Sequence, residues 1–142
     1  MIYFHYEDTT FRPRSIIRLK NWLRRVAKKE GHSIKELNYI FCSDTYLLKI
    51  NKEHLNHNYF TDIITFDNSE ESLTLEGDVF ISIDRVKDNA SVFKQPYNTE
   101  LKRVMVHGLL HLIGYKDKSI QDKTQMRKKE DLYLLLETTL KK

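Results

Sequence analysis

The stretch from Leu101 to Gly114 constrains the fold of this chain more than any other. Leu101, Val104, Met105, Leu109 and Leu112 recur at helical spacing, so the run must be a helix laid against a core. Asn98 or Thr99 is its predicted cap, Glu100 suits its positive end, and Gly114 should stop it. Within this apolar run stand His107 and His111, four apart, so their rings leave one helix face a turn apart, as a pair holding one metal must. A glycine at the helix end can take a left-handed conformation and turn the chain back, which brings Asp117 within reach of a third coordination position. The pattern is H-x3-H-x2-G-x2-D. Two neutral imidazoles and a carboxylate suit one Zn²⁺ per chain and leave a fourth position for water, the catalytic type of site. Ni²⁺ or Co²⁺ would fit the same donors. An isolated H-x3-H pair is more often two ordinary helix histidines, but here a stopping glycine and a ligand-capable residue coincide with it. Gly108 adds weight, because glycine inside a helix costs about 1 kcal/mol relative to alanine and signals a close approach to the backbone there.

The rest of the chain predicts a mixed α/β (α+β) architecture, with about four strands in one sheet and about five helices packed on it. Ile2 to Tyr6 reads as a strand and Ser15 to Lys29 as an amphipathic helix. On that helix Ile16, Leu19, Leu23, Val26 and Ala27 form the core face, while Arg14, Arg18, Arg25, Lys28 and Lys29 gather opposite as a basic ridge. Such a ridge is either a solvated face or a surface for RNA phosphates. Leu37 to Cys42 is a second predicted strand and Asp44 to Glu53 a short helix with Leu47, Leu48 and Ile50 inward. Thr61–Phe66 and Gly77–Ile83 are β-branched runs either side of an acidic turn, which predicts a hairpin. Helices are expected from Asp84 to Phe93 and from Asp122 to Leu140, the last carrying the leucine-rich stretch 132–136.

With 142 residues, 40% apolar and 31% charged, the chain is expected to fold as a single domain over 1–142 rather than to be disordered, collagenous or coiled. No apolar run approaches membrane-spanning length and MIYFHYEDTT lacks the marks of a signal peptide, so a cytoplasmic protein with no membrane partner is expected. The lone Cys42, in an apolar run, is expected to be core rather than nucleophile. Net charge is +5 over residues 1–30, 0 over 31–50, −6 over 51–100 and +5 over 101–142, which suggests an anionic partner met through particular faces. His54 and His57 form a second short pair, but the following residues read as a loop and no second metal is expected there.

Taken together, His107-Gly108-x-x-His111-Leu112-x-Gly114-Tyr115, Thr61-Asp62-Ile63-Ile64-Thr65-Phe66, Gly77-Asp78-Val79-Phe80-Ile81-Ser82 and Leu48-x-x-Asn51 resemble one family, the YbeY endoribonucleases. The ordered matches run from about residue 46 to 117. The resemblance implies a zinc-dependent endoribonuclease specific for single strands, acting in 16S rRNA 3′-end maturation and ribosome quality control. Ribosomal RNA or the small ribosomal subunit is its implied partner. Four positions depart from the family pattern. Its third ligand is usually histidine where Asp117 stands here, which should leave zinc-bound water a weaker acid. The family's Tyr-Arg pair corresponds to His54 and Leu55, and its proline before the T-D stretch to Phe60. If that arginine holds a phosphate, Lys52, Lys116 or Lys118 are candidate replacements.

The residues alone keep two other functions open. The same ligands could serve a zinc hydrolase of peptides or small molecules, although Gly108 occupies the place where the H-E-x-x-H proteases carry their general base. They could also brace a ribosome-associated RNA-binding module with a structural metal. The catalytic base is not identifiable from sequence, and the oligomeric state is not legible. Asp62 and Glu100 are conceivable helpers of the reaction, but a structural role is the expectation for both, Asp62 at a strand end and Glu100 toward the helix dipole or a histidine's second nitrogen.

Overall fold

A computed structural model describes residues 1–140. The elements run β1 (Ile2–Glu7), α1 (Ile16–Lys29), β2 (Ser33–Cys42), α2 (Asp44–Leu55), β3 (Ile63–Asp67), β4 (Thr74–Ser82), α3 (Ile83–Val92), α4 (Tyr97–Ile113) and α5 (Ile120–Thr139). This is the expected α+β class, with four strands in one mixed sheet ordered β1-β2-β4-β3. β1, β2 and β4 are mutually parallel, from Ile2 opposite Leu37 to Cys42 opposite Ser82. β3 closes the predicted hairpin antiparallel to β4, with Ile63 opposite Ile81 and Asp67 opposite Gly77.

Side chains of a strand alternate between faces, and here both faces are used. Tyr39, Phe41, Val79 and Ile81 point into the main core, which α1, α4 and α5 complete through Trp22, Leu23, Met105, Leu109 and Tyr133. Cys42, Ile64 and Phe80 meet Leu47 and Ile50 of α2 on the other side. Cys42 is thus core, and burial pushes its thiol up to about 12, which leaves it unreactive.

Several local expectations are corrected. α4 starts two or three residues early, at Tyr97 after Pro96, whose carbonyl accepts the Glu100 N–H at 3.1 Å; neither Asn98 nor Thr99 caps it. β2 begins at Ser33 because its first half pairs with β4 as well. On α1, Ile16 is 36% exposed and Trp22 takes the core position instead, its indole N–H donating to the Tyr133 carbonyl at 2.7 Å. The leucine-rich stretch of α5 is partly outward, since Leu132 and Leu135 are exposed while Met126, Glu130, Tyr133 and Glu137 are buried. No helix among the described residues is long and apolar enough to cross a membrane.

The close approach signalled by Gly108 is made by the sheet itself. A Cβ there would lie 2.7 Å from Val79 Cγ1 and 2.9 Å from Ile63 Cδ1. Alanine normally improves a helix interior, but Gly108→Ala should destabilise this protein by about 1–3 kcal/mol through overpacking. Urea unfolding of the two proteins measures it; an unchanged or higher midpoint would contradict this packing.

Candidate metal centre

α4 is buried over most of its surface, and one polar face of it opens on a cleft of about 520 Å³ between α4, α5, the end of α3 and the start of β3. His107 and His111 look into this opening, their rings 4.5 Å apart and 79° to one another. Gly114 ends the helix at φ 125°, a conformation closed to most side chains, and the chain returns to bring Asp117 against both rings. Asp117 Oδ2 lies 3.3 Å from His107 Nε2 and 3.2 Å from His111 Nε2. The sequence-predicted trio therefore converges, with one donor atom of each residue within 4.8 Å of the others.

The outer nitrogens determine what this trio wants. His107 donates from Nδ1 to Glu130 Oε2 at 2.6 Å, and His111 donates from Nδ1 to the Tyr115 carbonyl at 2.9 Å. Tyr115 is itself tied down, its hydroxyl donating to Glu30 at 2.6 Å, where Tyr133 and Lys129 also bond. With protons on both Nδ1 atoms, each neutral ring turns an Nε2 lone pair toward a carboxylate oxygen. Three acceptors then face each other, an arrangement that a cation between them would satisfy. One imidazolium could donate to Asp117 in its place, but the second ring would still turn a lone pair toward the carboxylate. The donor set fits a divalent metal.

Burial works against a charged His107, but the Glu130 hydrogen bond and the charges of Glu130, Asp117 and Asp62 outweigh it and raise its pKa. Burial likewise pushes the Asp62 and Glu100 carboxyls up. Asp62 accepts from Asn89 Nδ2 at 3.3 Å, whereas Glu100 meets neither histidine's second nitrogen, since Glu130 and Tyr115 already hold those.

The structure separates the other candidates from this cleft. Lys52, Lys116 and Lys118 are exposed and do not line it, and neither do His54, Leu55 or His57. Two arginines that sequence reasoning missed do line it, Arg103 and Arg127. Arg103 pairs with Glu130 at 3.0 Å and Asp131 at 2.8 Å, while the more exposed Arg127 reaches only 3.9 Å from Glu130. Of the basic ridge, Arg14, Arg25, Lys28 and Lys29 are exposed, but Arg18 is not free: its Nε lies 2.6 Å from Glu137 Oε2. No ridge residue lines the cleft. Glu130 was also missed, although it carried a signal. On α5 it falls on the buried stripe Met126, Glu130, Tyr133, Glu137, and a charge at a core-facing position needs a partner.

A sequence model described as Endoribonuclease YbeY matches residues 4–136. The chain belongs to the YbeY endoribonuclease family. A YbeY endoribonuclease of Cytophaga hutchinsonii is 57% identical over 135 residues, covering 95% of this chain and 94% of the relative. Its counterpart in Flavobacterium psychrophilum is 51% identical, with 96% of both chains covered. The solution structure of a Thermotoga maritima protein superposes with a TM-score of 0.67 at 26% identity, covering 92% of this chain and 86% of that one. The YbeY resemblance drawn from the motifs around Thr61, Gly77 and His107 thus extends over nearly the whole length.

Proposed function

We propose that this chain is a zinc-dependent endoribonuclease that cuts single-stranded RNA in the cleft beside α4, with His107, His111 and Asp117 holding the metal. The observation that carries this reading is the convergence of three acceptor atoms whose outer partners, Glu130 and the Tyr115 carbonyl, fix both histidine tautomers. A divalent metal held there supplies positive charge that polarises a phosphoryl oxygen and acidifies water. The protein's own groups do the rest. Glu130 and Tyr115 keep the rings aimed. Arg127, exposed and weakly paired, offers a guanidinium to a phosphate entering the cleft, in place of the arginine the family carries where Leu55 stands. Phe93, 55% exposed on the cleft wall, offers a face on which an unpaired base can stack.

Membership of a family named for endoribonuclease activity supports RNA as substrate. The motif resemblance extends the reading to the 3′ end of 16S rRNA, ribosome quality control and the cytoplasm. Gly108 argues against peptide hydrolysis, because the position after the first histidine offers no general base and is filled by contact with the sheet.

Incubation of the purified protein with single-stranded RNA, duplex RNA and denatured protein tests the reading. Cleavage should be confined to single-stranded RNA, stop on chelation and return with zinc, the fold persisting throughout. Unfolding on chelation without prior cleavage would instead indicate a structural metal in an RNA-binding module.

A further inference from the structure

The stripe of α4 that ends in the two histidines begins with another polar group. Glu100 lies seven residues before His107, close to two full turns, so both side chains rise from one face. Glu100 is 5% exposed and lines the cleft together with Asp62, Arg103 and His107. Its carboxylate makes no hydrogen bond or ion pair with any of the described residues, and its oxygens open on the cleft. Arg103, three residues on, is engaged by Glu130 and Asp131. A largely buried carboxyl that finds no protein partner and opens on a cleft calls for an explanation in what the cleft does.

A structural account does not explain it. Glu100 stands in the first turn of α4, where the helix dipole favours the ionised form. Burial prevails all the same and pushes the carboxyl up, helped by Asp62 before β3 and Glu130 of α5, against Arg103 and Arg127. Glu100 is thus a carboxyl able to hold a proton in a cleft built for an RNA phosphate.

We propose that Glu100 is the general acid of the cleavage, its carboxyl giving a proton to the ribose oxygen that leaves phosphorus. This assignment rests on the endoribonuclease reading above. As the attacking oxygen bonds to phosphorus it releases its own proton to water. The bond from phosphorus to the leaving oxygen breaks with its electron pair on that oxygen, which takes the Glu100 proton and becomes a free hydroxyl. Glu100 is left as a carboxylate and is reprotonated from solvent. General acid assistance of this kind contributes about 10²- to 10⁴-fold.

The test compares wild type with Glu100→Gln on two single-stranded RNAs of one sequence. In the second, sulfur replaces the bridging oxygen that the product ends show to be the leaving group. A thiolate departs without a proton, so the variant should lose about 10²- to 10⁴-fold on the ordinary RNA and recover to near wild-type rate on the sulfur substrate. Metal content should be unchanged and the melting temperature equal or higher, since the amide keeps the shape of the protonated carboxyl and no partner of Glu100 is lost. Equal losses on both substrates, or a variant as active as wild type on ordinary RNA, would overturn the assignment. A lower melting temperature with reduced metal content would also overturn it, in favour of a structural role. A wild type inert on both RNAs would instead overturn the endoribonuclease reading, and this assignment with it.

Discussion

Replacing Glu130 with alanine should lower metal affinity by about 10- to 100-fold, the usual effect of removing a histidine's outer partner. The same change should destabilise the metal-free protein by about 3 kcal/mol, the low end for a broken buried ion pair. Both effects follow from one carboxylate at a junction. Oε2 accepts from His107 Nδ1 at 2.6 Å, and Oε1 faces Arg103 at 3.0 Å. Without Glu130 the His107 ring loses the acceptor that fixes its tautomer, and Nε2 is no longer held as a lone pair toward Asp117. Arg103, only 15% exposed, keeps half of its fork on Asp131, which is why the cost falls at the low end of the range. Glu130→Gln keeps an acceptor for His107 but not the charge opposite Arg103, so it should fall between wild type and alanine on both scales. Calorimetric titration with zinc and urea unfolding of the metal-free proteins measure the two effects. An alanine variant matching wild type in both would contradict the role given to Glu130.

His111→Ala should have the larger effect on the metal and the smaller one on the fold. It removes a donor atom itself, so affinity should drop by more than about 100-fold, beyond the effect of an outer partner, and cleavage should fall with it. The ring is partly exposed and no ion pair of the core depends on it, so the metal-free variant should unfold close to wild type. Zinc bound as tightly by the variant would remove His111 from the ligand set.

The histidine pair was legible because its spacing is a local property of one helix. So was Asp117, since Gly114 turns the chain within three residues and leaves little freedom in where that carboxylate can go. The hairpin of β3 and β4 was also legible, from two β-branched runs joined by an acidic turn. The parts that escaped are those set by contacts between distant segments. Glu130 and Arg103 are 27 residues apart and meet only because α4 and α5 pack side by side. Arg18 reads as one more cation on a solvated face until α5 brings Glu137 against it, 119 residues away. Trp22 was missed for a related reason: it lies at the edge of the apolar stripe of α1, and Tyr133 of α5 completes its burial. The start of α4 failed locally, because Pro96 takes the place that capping preferences assign to Asn98 or Thr99.

The central claim is that Asp117 completes, with His107 and His111, a metal site on which RNA cleavage depends. Metal content by mass spectrometry, with single-stranded RNA cleavage assayed on the same samples of wild type and Asp117→Ala, tests it most directly. Near-stoichiometric zinc and cleavage in wild type, falling together in the variant, is the predicted result. Full zinc in both proteins with no cleavage in either would contradict it, and would leave a metal-braced RNA-binding module that has lost activity with the arginine replaced by Leu55.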